Sequence, residues 1–319
     1  MSKFINGFNC ESNIFVSTSA ESAEDKVFWE DAETIVDILS TNAFFRPDLV
    51  CIKDGKGVYD FRNAFLAAEH TLQLIKYGYS RGNLLDSYLL LRRLFESILQ
   101  YLFFVSLKQD QENEVSSGSE EKSLKDAVEA AEKMIKALEF DDSGTSEMSI
   151  FHQWAVGNSL NKEAEKKRKK VIRLRYYLER LAISNPDIKV CNEKYLEPQL
   201  SDVQQIMNDF THGNTLHAMA YAFDVTKEAK NYFKERLSYI LSVLLSYITL
   251  VRPQLLKSSD YIDVVESGRR NESGCQCWIA PGIQHYFDVY VNKIHPDLVK
   301  YLKENNPIGM IIDVPESKG

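Results

Sequence analysis

The stretch from Leu84 to Leu107 constrains this chain more than any other. Leu84, Tyr88, Leu91, Phe95, Ile98 and Leu102 recur at three- and four-residue spacing, which at 100° per residue lines them up as one stripe. Leu85, Leu89 and Phe103 flank it. The pattern demands a helix with one side packed against other apolar surface. Asp86, Arg92, Arg93 and Glu96 interrupt the run, and each would cost about 2.5–3.5 kcal/mol at the centre of a bilayer. A helix inside a protein core is therefore expected rather than a membrane span. The other strongly apolar run, Leu237 to Val251, is fifteen residues long and bracketed by Arg236 and Arg252; a span needs roughly 20.

The remainder of the chain reads as helices of the same kind. Only 14 Gly and 8 Pro occur in 319 residues, too few for many short strands and tight turns. Residues 1–20 read as an irregular lead-in without the apolar stretch of an export signal. Ser19 to Ser22 supply caps for a first helix reaching about Ser40, and Phe44 to Tyr59, with Pro47, Gly55 and Gly57, reads as a loop. A second helix spans Asp60 to Tyr79, with Phe61, Phe65, Ala68, Leu72 and Ile75 as its apolar face. Gln109 to Lys122 has Val115 as its one apolar residue and is expected to be a mobile loop.

Helices are expected near 123–140, 150–156 and 159–183. Pro198 opens another, in which Val203, Ile206, Met207 and Phe210 face the core while Ser201, Gln205, Asn208 and His212 lie opposite. A long helix follows from about Thr226 to Leu256, continuing past Arg252 with a kink at Pro253. Residues 21–256 are thus expected as one helical bundle. Residues 257–319 read as a linker and a small C-terminal helical appendage, with Pro281 and Pro296 near the starts of two short helices. The fold class is all-α, a multi-helix bundle.

Two polar constellations stand out against this background. Arg92 and Glu96 are four residues apart on the central helix and project among its apolar side chains. An exposed pair of that kind contributes only a few tenths of a kcal/mol. A buried one must find further hydrogen bonds, and it serves either as glue between helices or as part of a polar site. The second set, Asn208, Asp209 and His212, lies within one turn of another helix, where Asn208 or Asp209 can fix the tautomer of the imidazole.

A third feature is basic. Residues 162–180 hold nine Lys or Arg against three Glu, including Lys166, Lys167, Arg168, Lys169 and Lys170 in a row and then Arg173, with Tyr176 and Tyr177 beyond. Such a stripe can track a phosphate backbone, with tyrosines to stack on bases. It can equally be a solvated face balanced by residues 109–147, which carry twelve acids against four lysines in a chain of net charge −8.

Leu-Arg92-Arg-Leu-Phe-Glu96-Ser, followed by Met-Asn208-Asp-Phe-Thr-His212-Gly, resembles a bacterial domain-of-unknown-function family whose members share Leu-Arg-x-x-x-Glu and Ser-x-x-x-His-Gly/Ala patterns on helices. The similarity covers mainly residues 60–250, and Asn208 stands where that family has Ser. More distantly the chain is similar to HEPN helical domains, many of them metal-independent ribonucleases with four to six residues between an Arg and a His. Residues 205–207 are Gln, Ile and Met, so that spacing is not met at His212.

The resemblance implies an all-helical fold. The polar site together with the basic helix motivates the reading of a cytoplasmic bacterial protein of HEPN-like type, in a stress or phage-defence setting, acting through RNA or a protein partner. A homodimer is left open. In a ribonuclease reading His212 is the acid/base, Arg92 steadies phosphate charge and Glu96 orients Arg92. The rival reading is a non-enzymatic interaction or assembly protein in which these residues tie helices together.

Cofactor and metal signals are absent from the expectation. Cys275-x-Cys277 with His285 and His295 lacks the spacing of zinc modules. Five cysteines without regular spacing point to a reducing, cytoplasmic setting.

Overall fold

The computed structural model describes residues 22–44, 49–51, 58–60, 63–116, 166, 174–212, 226–258 and 277–314. Helix α1, Ala23–Phe44, begins where Ser22 Oγ accepts a hydrogen bond from the Asp25 N–H at 3.1 Å. Glu24 and Asp25 add negative charge at that positive end. Phe28, Trp29, Ala32, Ile35, Val36, Leu39 and Ala43 form its buried face. The expected loop after it contains a short antiparallel ladder, β1 Leu49–Cys51 against β2 Val58–Asp60, with Val50 opposite Tyr59. Valines and a tyrosine on either side of two glycines favour such pairing, which a loop reading based on glycine and proline alone overlooks.

Helices α2, Asn63–Ser80, and α3, Leu84–Ser116, form a tight hairpin. Gly82, at φ 74°, takes the left-handed conformation that ends α2, and the Asn83 N–H donates to the Gly78 carbonyl at 2.9 Å. Asn83 Oδ1 then accepts from the Asp86 N–H at 3.3 Å and caps α3. A Cβ on Gly78 would sit 2.6 Å from Ser87 Oγ, so the close crossing requires glycine there. The helix α3 continues to Ser116, and Gln109–Ser116 are helical rather than a loop. Gln, Glu and Lys are good helix formers, and no Gly or Pro intervenes before Gly118. Polarity alone does not stop a helix.

After α4, Leu174–Ser184, the Asn185 side chain caps α5, Pro186–Cys191, accepting from the Asp187 and Ile188 N–H groups. A π-helical turn, Asn192–Leu196, leads to α6, Gln199–His212. Thr226 caps α7, Lys227–Val251, which is buried without a break from Tyr239 to Val251. The α-helix ends at Val251 rather than running on to Leu256 with a kink: proline has no N–H to continue the ladder, and a 3-10 turn, Pro253–Leu256, follows Arg252. Among the described residues no helix is long and apolar enough to cross a membrane.

The C-terminal residues thread back onto the bundle. Helix α8, Pro281–Tyr286, runs through a π-helical turn, Phe287–Val291, into α9, Asn292–Ile294; α10, Leu298–Asn305, follows. Ile283, Tyr286, Phe287, Val291, Leu298 and Leu302 belong to the same hydrophobic cluster as α1, α3 and α7. Tyr290 donates to Asp31 on α1 at 2.9 Å and Tyr301 to the Asp187 carbonyl on α5 at 3.0 Å. The architecture is all-α, helices packed around α3 and α7.

Candidate functional site

Every member of the expected α3 stripe is buried: Leu84, Tyr88, Leu91, Phe95, Ile98 and Leu102. Leu94, Leu99 and Tyr101 are buried as well, so apolar packing covers more of the helix than one stripe. Arg92 and Glu96 emerge at the edge of that packing, their side chains 20% and 30% exposed. Arg92 Nε donates to Glu96 Oε1 at 2.8 Å, and Arg92 Nη1 donates to Asn208 Oδ1 on α6, also at 2.8 Å. Two segments 116 residues apart in sequence thus meet through one guanidinium. Two of its five N–H donors are used, and no further acceptor among the described residues pairs with it.

One turn away along α3, Tyr88 stacks on Phe210 with ring centroids 4.2 Å apart and 15° between planes. The two contacts, Tyr88 with Phe210 and Arg92 with Asn208, hold α3 and α6 together along one seam. His212 is the last residue of α6, and its side chain lies outside the described residues.

Asp209 turns to its own helix, accepting from Gln205 Nε2 at 2.8 Å, and Asn208 is committed to Arg92. The expected inner face of α6 is observed: Val203, Met207 and Phe210 are buried, with Leu200 beside them, and Ile206 is partly buried.

Sequence reasoning did not single out the next member of the polar row. Gln100, one turn past Glu96, donates from Nε2 to the Tyr177 hydroxyl on α4 at 3.0 Å. Arg92, Glu96 and Gln100 form an i, i+4, i+8 strip along α3, with α6 at one end and α4 at the other. The signal was present as three polar residues at four-residue spacing in an apolar helix. Burial pushes the Tyr177 phenol up to about 12, against the opposing hydrogen bond from Gln100 and with a smaller contribution from the Glu96 charge.

The basic run is described only in part. Lys166 is helical and exposed, while Lys167, Arg168, Lys169, Lys170 and Arg173 lie outside the described residues. The tyrosines beyond them are not available for stacking on bases: Tyr176 is 7% and Tyr177 0% exposed, because at the start of α4 they turn inward against Phe103 of α3. Arg175 stays at the surface and pairs with Glu179 at 2.7 Å. No cluster of His, Cys, Asp or Glu suited to a metal ion occurs among the described residues. His285 lies 3.5 Å from Asp31, and His295 packs against the Tyr195 ring. Comparison with protein-family models, with curated proteins and with solved structures finds no match.

Proposed function

We propose that this chain is a HEPN-like helical protein of a bacterial stress or phage-defence setting that binds or acts on RNA through the α3–α6 seam. The Arg92–Asn208 hydrogen bond at 2.8 Å supports this reading best. It joins two sequence motifs at a guanidinium that is held in orientation and remains partly exposed. Arg92 then meets a phosphate with its remaining N–H groups, Glu96 and Asn208 hold its plane, and His212 exchanges protons from the end of α6. Asp209 and Gln205 shape the flank of that seam, and Lys166 with the lysines and arginines that follow extends the phosphate contact.

The test is retention and cleavage of single-stranded RNA by the full chain. Wild type is expected to bind with affinity that falls as salt rises; Arg92→Lys weakens binding because a single ammonium cannot replace the guanidinium fork, and His212→Ala abolishes cleavage while leaving binding. Binding without salt dependence, or equal in Arg92→Lys, would end the proposal.

A second reading has one observation in its favour: both identified bonds of Arg92 are to acceptors within the chain. In that reading the strip is a clasp between α3 and α6 in a non-enzymatic interaction or assembly protein. It expects Glu96→Ala and Asn208→Ala to lower stability and leave RNA behaviour unchanged.

A further inference from the structure

A cleft of about 320 Å³ opens between the start of α1, the end of α2 and the first turn of α7, and it shares no residue with the Arg92 seam. Its charge is unbalanced toward cations. Lys76 and Lys230 line it beside Gln73, Tyr77 and Ser80, with Asp25 as the one carboxylate. That carboxylate is already engaged, accepting from Tyr79 Oη at 3.1 Å and from Lys234. Lys230 has no carboxylate partner among the described residues; its ammonium rests 5.3 Å from the centre of the Tyr79 ring. Lys76 pairs at the rim with Glu33, at 2.9 Å, and stays a third exposed. The Trp29 indole N–H is buried and has no acceptor among the described residues, although buried donors are nearly always satisfied.

We infer that this cleft binds a small organic oxyanion, its phosphate or carboxylate oxygens held by Lys230 and Lys76. A wall with two ammonium groups, whose one carboxylate is already engaged, is complementary to a ligand that brings negative charge. The volume lies within the range of small-molecule sites, about 300–1,000 Å³, and the exposed Tyr77 ring at the cleft gives the rest of such a ligand apolar contact, with Trp29 buried beneath. The inference stands independently of the RNA reading.

Trp29 makes the site observable. Full-length protein is titrated with adenosine monophosphate, citrate and inorganic phosphate, with adenosine and sodium chloride as neutral and ionic-strength controls, following both melting temperature and tryptophan emission. The organic anions are expected to raise the melting temperature and change the emission, adenosine and chloride to do neither. Lys230→Met, which keeps the apolar stem against Tyr79, is expected to weaken apparent affinity at least tenfold relative to its own unliganded melting point. Trp29→Phe is expected to keep a melting shift while losing the emission change. Equal response to chloride, or a response untouched by Lys230→Met, overturns the inference; if Trp29→Phe does not fold, the lysine variant alone decides it.

Discussion

Asn208→Ala is the most direct probe of the seam, because it removes one acceptor from a charged donor and little packing. A hydrogen bond to a charged group contributes about 1.5–3 kcal/mol, and the Arg92 side chain is only 20% exposed, so solvent replaces the lost acceptor incompletely. A double-mutant cycle with Arg92→Met isolates the pair, since methionine keeps much of the apolar stem; the coupling expected is about 1–2 kcal/mol. The molecule carries its own control. Arg175 and Glu179 also join a guanidinium to a side-chain oxygen, at 2.7 Å, but their side chains are 86% and 52% exposed, and their coupling is expected below about 0.5 kcal/mol. Urea unfolding followed by circular dichroism measures both. An Arg92–Asn208 coupling no larger than the surface control would refute the reasoning, since burial would then have lent the contact nothing.

Buried tyrosines make the fold sensitive to alkali. A tyrosine of the unfolded chain titrates near 10 while Tyr177 in the fold is pushed up to about 12; the unfolded state therefore loses its proton first. Stability is full below about pH 10 and falls as pH climbs to about 12, by roughly 2–3 kcal/mol from this group. Burial also raises Tyr239 and Tyr286. Urea midpoints measured from pH 9 to 12 are expected to decline, less steeply in Tyr177→Phe; a flat profile contradicts the burial. Leu91→Ala, at a site 0% exposed, is expected to cost about 2–5 kcal/mol, whereas Leu66→Ala, 45% exposed, is expected to stay within about 0.5 kcal/mol. Equal effects by chemical denaturation would dislodge α3 from the centre of the core.

Periodicity in the sequence determined the helices and their inner faces, because a helix lacking an apolar partner for such a stripe would leave it in water. The α3 stripe and the inner face of α6 were both legible for that reason. Helix ends in polar sequence were not: Gln109–Ser116 carry no stripe, yet propensity without a breaker prolongs α3. A strand pair of three residues on each side was hidden in the same way, since its pattern is too short to stand apart from a loop.

What the tertiary structure alone decided was pairing. Arg92 and Asn208 were each visible as polar residues, but only packing reveals that they bond and that one guanidinium joins Glu96 on its own helix to Asn208 on α6. Tyr176 and Tyr177 follow a basic run and invited a role at the surface; the rotation of α4 against Phe103 turned them inward. Sequence spacing governs what shares a face of one helix, whereas contacts between helices depend on how several such faces are buried together, and no single segment carries that information.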